Sequence, residues 1–105
     1  MFAAELDGRI VGIAGGYAPD EATAELISMW VAPSVRGRGA GDRLVSSVIA
    51  WAQDERHATL RLWVTDGNHR AERLYARHGF QRTGTVKPVH SGEDRMEFEM
   101  VRKLT

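Results

Sequence analysis

The side chains most able to do chemistry crowd into one segment, VAPSVRGRGAG at positions 31–41. Gly37, Gly39 and Gly41 alternate where the chain must turn, and Arg36 and Arg38 stand between and before them. A glycine-rich turn that opens a helix presents free amides, and the helix dipole adds about half a positive charge there. Guanidinium groups can fork onto phosphate oxygens. The expected ligand portion is therefore a phosphate or pyrophosphate, the bland alternative being a glycine-rich turn with surface arginines. Two common phosphate loops are excluded. No Gly-Lys-Ser/Thr triplet occurs, and a G-x-G-x-x-G fingerprint beginning at Gly37 would need glycine where Asp42 stands.

Elements to hold this loop can be read on both sides of it. Residues 2–6 and 9–17 are apolar runs joined by Asp7-Gly8, the signature of a type I′ hairpin. Gly12, Gly15 and Gly16 thin the second strand and leave room for another backbone or a ligand. Residues 24–31 read as a third strand, with Glu25, Ile27, Met29 and Val31 on one face and Leu26, Ser28 and Trp30 on the other. Its apolar character on both faces predicts a central strand covered on both sides. Leu44, Val45, Val48, Ile49 and Ala52 mark a helix over 39–53, and residues 59–65 alternate as a strand. A second helix over 69–78 ends at Gly79, and strands at 80–85 and 96–101 flank a polar loop at 90–95. The order β-β-β-α-β-α-β-β predicts a single α/β (α+β) domain over residues 1–105. Its sheet should be mixed, mostly antiparallel and about six-stranded, with two main helices.

Val31, Pro33 and the R-x-x-G-x-G/A run at Arg36, Gly39 and Gly41 resemble the acetyl-CoA signature of the GNAT superfamily of N-acetyltransferases. A second element similar to that family, N-x-x-A-x-x-L-Y-x-x-x-G-F, is met at Asn68, Ala71, Leu74, Tyr75, Gly79 and Phe80. The resemblance runs from the first hairpin to the last strand. It implies an acyl-CoA N-acyltransferase-like fold in which strands 24–31 and 59–65 splay apart to admit pantetheine. It further implies an acetyl-CoA site of Trp30, Val31, Arg36, Gly37, Arg38, Gly39, Ala40, Gly41, Asn68 and Tyr75. Members of the family usually carry another strand and one or two helices ahead of this hairpin. On that basis strand 2–6 is expected at a sheet edge, where pairing with a second copy would give a homodimer.

The resemblance implies acetyl transfer to an amine by direct attack in a ternary complex, and this defines the catalytic candidates. Tyr75 is placed beside the CoA sulfur; a phenol with pKa ~10 stays protonated at neutral pH and can act as the acid. Its other reading is a core tyrosine on an apolar helix stripe. Asn68 can cap its helix and bond pantetheine. Glu25 is the candidate base, or else a charge that attracts a cationic acceptor. Proton transfer from an ammonium at ~10.4 to a carboxylate at ~4.3 runs about 8 kcal/mol uphill. A backbone amide near Met29 or Trp30 is the expected oxyanion donor. Ser28 lacks a histidine at a nucleophile's spacing, and His57, His69, His78 and His90 lack ligand spacing, so no metal is expected. Trp30, Trp51 and Trp63 read first as packing residues.

Composition limits the alternatives. The 14 basic and 14 acidic residues cancel, which argues against a general nucleic-acid or anionic-membrane binder. Residues 1–35 hold five acids against Arg9, a net of −4, so the rest is +4, with arginines at 36–43 and 70–82. There is no cysteine, and no leader-like or membrane-spanning apolar run appears, so a cytoplasmic protein is expected. The other function consistent with these residues is a catalytically weak acetyl-CoA sensor or regulatory module. The acceptor amine, small molecule or protein, is not written in the sequence.

Overall fold

The structure, a computed structural model, describes residues 1–105. Strands β1 (Phe2–Leu6), β2 (Arg9–Tyr17) and β3 (Thr23–Val31) lead through a 3₁₀ turn (Pro33–Val35) into helix α1 (Ala40–Asp54). Strand β4 (Thr59–Thr65), helix α2 (His69–Arg77) and strands β5 (Gln81–Pro88) and β6 (Met96–Lys103) follow. The chain order of the elements and the mixed six-stranded sheet are those expected from the sequence; within the sheet the strands lie in the order β1-β2-β3-β4-β6-β5. Its only parallel neighbours are β3 and β4. The first hairpin turns as its residues dictate, Asp7 and Gly8 both having positive φ (51° and 79°).

The core lies between the sheet and the apolar stripe of α1. Leu44, Val45, Val48, Ile49 and Ala52 share one buried cluster with Ala14 of β2, Ala24 and Leu26 of β3, Leu60, Leu62 and Val64 of β4, Phe98 and Met100 of β6, and Tyr75 of α2. Each large aliphatic side chain buried here contributes about 1.5–3 kcal/mol. The buried His57 places Nδ1 2.7 Å from the Glu21 carbonyl. A carbonyl only accepts, so Nδ1 carries the proton, and this bond ties the end of α1 to the loop before β3.

Two expectations need correction. The first is the face assignment of β3. Between Ile13/Gly15 of β2 and Ile27/Trp30 of β3 the register gains one residue, and Ser28 adopts φ 56°. This bulge resets the alternation. Ala24 and Leu26 are buried before it; Met29 and Val31 pack against the core after it, and Glu25, Ile27 and Trp30 share the opposite face. The strand is central, but that opposite face is open, with Ile27 39% and Trp30 46% exposed.

The second concerns the glycines of β2. The space above Gly16 is filled by a side chain of α1: an added Cβ would lie 2.6 Å from the Trp51 ring, and one at Gly12 would lie 2.9 Å from Leu44. These glycines let a helix sit close. Gly16→Ala is expected to destabilise the fold by about 1–3 kcal/mol through overpacking. Urea denaturation checks this, and an unchanged midpoint would mean that the indole simply moves aside.

Candidate functional site

β3 and β4 pair over only three residues each, Thr23–Glu25 with Thr59–Arg61. Beyond them the strands separate, because the Ser28 bulge turns β3 away while β4 continues straight against β6. Ser28 and Met29 have no register partner on either side, so the gap exposes main-chain groups that a regular sheet would use.

On the helix side this gap opens into a cleft of about 720 Å3. Trp30, Val31, Arg36, Gly37, Gly39 and Gly41 border it, with Asn68 and Tyr75 across from them. Gly37 and Gly39 hold φ of 83° and 86°, open to glycine at little cost. Gly39 is the N-cap of α1 and offers no side-chain cap. The N–H groups of Gly37, Gly39, Ala40 and Gly41 donate to no backbone acceptor, so the turn and the start of the 15-residue α1 leave unused amides beside the cleft that Gly37, Gly39 and Gly41 border. Gly41 has a different duty, since a Cβ there would meet Leu74 at 3.1 Å; it lets α1 and α2 approach. Of the expected cofactor residues, Arg38 and Ala40 do not border the cleft. The Arg38 amide is already spent on the Val35 carbonyl.

Sequence reasoning missed the far wall of this cleft. Arg70, Arg73 and Arg77 of α2 border it at spacings of three and four, one face of a helix; the arginine run was visible, but not its direction. Arg77 and His78 hold Asp42, with Nη2–Oδ1 at 3.1 Å and Nε2–Oδ1 at 2.8 Å, joining the start of α1 to the end of α2. The His78 hydrogen bond and the Arg77 guanidinium keep the Asp42 carboxyl below its ordinary range. No salt bridge engages Arg36, Arg70 or Arg73. Unused amides and uncompensated guanidinium groups in one cleft fit a ligand with several phosphates.

A second cleft, about 370 Å3, opens from the gap towards the other face of the sheet. Glu25, Ser28, Trp63, Lys87 and Glu97 border it, and Met29, Asn68, Ala71 and Tyr75 border both clefts. Tyr75 thus stands at the junction. Its ring packs edge-on against Phe80 at 5.9 Å, and its hydroxyl has no protein partner. Asn68 caps α2 by accepting the Ala71 N–H at 3.2 Å. Glu25 is committed through one oxygen: Oε1 accepts from Arg61 Nε and from Trp63 Nε1, each at 3.0 Å.

Burial pushes the Tyr75 phenol up from 10.0 to about 12. The unfolded chain loses this proton near 10, so the folded state binds more protons between the two values. Stability from this group is complete below pH 10 and falls as pH rises towards 12, by up to about 3 kcal/mol. Tyr75→Phe should remove about one proton's worth of slope from the stability–pH curve. Denaturation of both proteins at pH 9 and pH 11.5 checks this; parallel curves would mean that burial does not hold the proton.

Residues 1–80 match the model of the acetyltransferase (GNAT) family. Among solved structures, a GNAT family acetyltransferase from Elizabethkingia anophelis with acetyl-CoA bound superimposes with TM-score 0.82 at 19% identity, covering 96% of this chain and 73% of that one. An IAA acetyltransferase from Bacillus cereus gives 0.88 at 18% identity, over 96% and 75%. A ribosomal-protein-alanine N-acetyltransferase from Brucella melitensis gives 0.79 at 30% identity, over 96% and 66%. No curated protein sequence matches significantly.

Proposed function

The chain belongs to the GNAT acetyltransferase family, and on that premise we propose that it carries an acetyl group from acetyl-CoA to a primary amine by direct attack. The observation that carries this reading is the junction at Tyr75. One phenol without a protein partner stands where a phosphate-suited cleft meets a second cleft through a gap between parallel strands.

In this reading the amides of Gly37, Gly39, Ala40 and Gly41, with Arg36, hold the pyrophosphate at the start of α1. The pantetheine arm lies in the gap beside Val31 and Asn68, whose side-chain amide is free to donate while its oxygen caps α2. Acetyl-CoA supplies the activated acetyl group as its thioester. The Met29 amide, outside the strand register, is the proposed oxyanion donor. The neutral amine forms the new C–N bond, the C–S bond breaks, and Tyr75 donates its proton to the departing sulfur. The amine's surplus proton leaves towards Glu25 or water. Because Glu25 Oε1 already takes two hydrogen bonds, Oε2 is the atom that faces this duty.

That commitment of Glu25 favours a second reading, an acetyl-CoA-binding regulatory module that transfers slowly. A panel of primary amines, assayed for CoA release with acetyl-CoA saturating, separates the two. Amine-dependent release supports the enzyme, tight acetyl-CoA binding without release supports the module, and preference for ATP over acetyl-CoA overturns both.

A further inference from the structure

The second cleft is bordered by Trp63, Lys87 and Glu97, whose chemistry the transfer reading leaves unused. Trp63 of β4 shows its ring to the cleft, and its indole N–H donates to Glu25, itself held by Arg61. These two bonds fix the plane of the ring, and donation to a carboxylate enriches its face in electron density, which a cation favours. Such a cation is already there. Lys87 Nζ lies 4.0 Å from the Trp63 ring centroid and 3.6 Å from Glu97 Oε1.

The two partners of that ion pair are unequal. The Glu97 side chain is 17% exposed and accepts no hydrogen bond, whereas the Lys87 side chain is 49% exposed and belongs to β5, an edge strand exposed along its whole length. A sheltered carboxylate therefore depends on a cation that is loosely held, beyond hydrogen-bond distance and free to swing into water. Glu97 lies on β6 between Thr65 of β4 and Lys87 of β5, so its backbone is held by a strand on each side.

We infer that the Trp63 ring face and the Glu97 carboxylate form a binding site for a primary alkylammonium group arriving from outside, with the Lys87 ammonium as its resident, displaceable occupant. This deepens the transfer reading and rests on it for one step, namely that the bound cation would be the acceptor before it loses its proton. The site borders the same cleft as Tyr75. An acceptor would anchor one ammonium on Trp63 and Glu97, or present that same nitrogen further in once deprotonated. An internal occupant acts like a tethered competitor at a fixed effective concentration, so it lowers the apparent affinity of any external cation.

The test uses the whole chain and n-butylammonium chloride as probe, with n-butanol at equal concentration as its neutral counterpart and ionic strength held constant. The reporter is the Trp63 indole N–H resonance, identified by its loss in Trp63→Phe. Butylammonium should shift it saturably, Lys87→Ala should tighten that binding about three- to tenfold, and Glu97→Gln should weaken it about tenfold. Lys87→Gln repeats the comparison if alanine disturbs the edge strand. Equal binding to wild type and both Lys87 variants, or an equal shift by butanol, overturns the inference. Acetyl-CoA titrated calorimetrically into the same samples keeps the two readings apart. Acetyl-CoA binding without a cation site overturns this inference alone, and a cation site without acetyl-CoA binding supports it while overturning the transfer reading.

Discussion

Tyr75→Phe is expected to lower kcat by about 10²–10⁴-fold, the usual range for a positioned acid, with acetyl-CoA affinity near that of the wild type. The substitution removes one oxygen. The ring keeps its edge-on contact with Phe80, and no protein group loses a hydrogen bond, so the fold gives little reason for a loss of activity. The acid itself is weak. Complete transfer from a phenol near 12 to a free thiolate of pKa ~8.5 would run about 5 kcal/mol uphill. As the proposed acid, the phenol would have to act while the C–S bond is still breaking, when the sulfur is partly bonded and the proton need only be shared. That argument favours the lower part of the range, nearer 10²-fold. Steady-state rates with an accepted amine, beside calorimetric acetyl-CoA affinities, decide it. An unchanged kcat would return Tyr75 to the core, and a parallel loss of affinity would make it a binding residue.

The sequence carried the architecture further than it carried the site. Strand and helix order could be read because their signals are local: alternation in β4, the apolar stripe of α1, and Asp7-Gly8 at the first turn. Gly79 (φ 87°) likewise ends α2, with Gly79 and Phe80 donating to the Ala76 and Tyr75 carbonyls. The loop from Arg36 to Gly41 was legible for the same reason. The Ser28 bulge was not. Nothing in AELISMWV distinguishes a regular strand from one with an extra residue, since both leave apolar side chains on each face. Yet that residue sends Met29 and Val31 to the core and parts β3 from β4. The commitment of Glu25 to Arg61 and Trp63 was hidden too, because it spans 36 and 38 positions of sequence and needs the parallel pairing to bring them together. The cation site at Trp63 and Glu97 depends in turn on the β4-β6-β5 order, which no local pattern encodes.

Gly39→Asp is expected to bind acetyl-CoA at least about 100-fold more weakly than Gly39→Asn, although both variants fold. Gly39 has φ 86°, and a Cβ built on it meets nothing within 4 Å. Asparagine and aspartate are the side chains that tolerate this left-handed conformation best after glycine, so the backbone strain is similar in both. Their shapes are nearly equal, and the comparison isolates one negative charge at the start of α1. For the fold that charge is favourable, since an anion at a helix N-terminus gains about 0.3–1 kcal/mol from the dipole. For a pyrophosphate held by the same amides it is adverse. Two like charges about 5 Å apart, at an effective dielectric near 20, repel by about 3 kcal/mol, which is about two orders of magnitude in affinity. The variant should therefore move stability and binding in opposite directions: a melting temperature at or above that of Gly39→Asn, and acetyl-CoA affinity far below it. A general disturbance of the loop would lower both. Calorimetry and thermal melts on the pair give the answer, and equal acetyl-CoA affinity in the two variants would show that the phosphates lie elsewhere than at the start of α1.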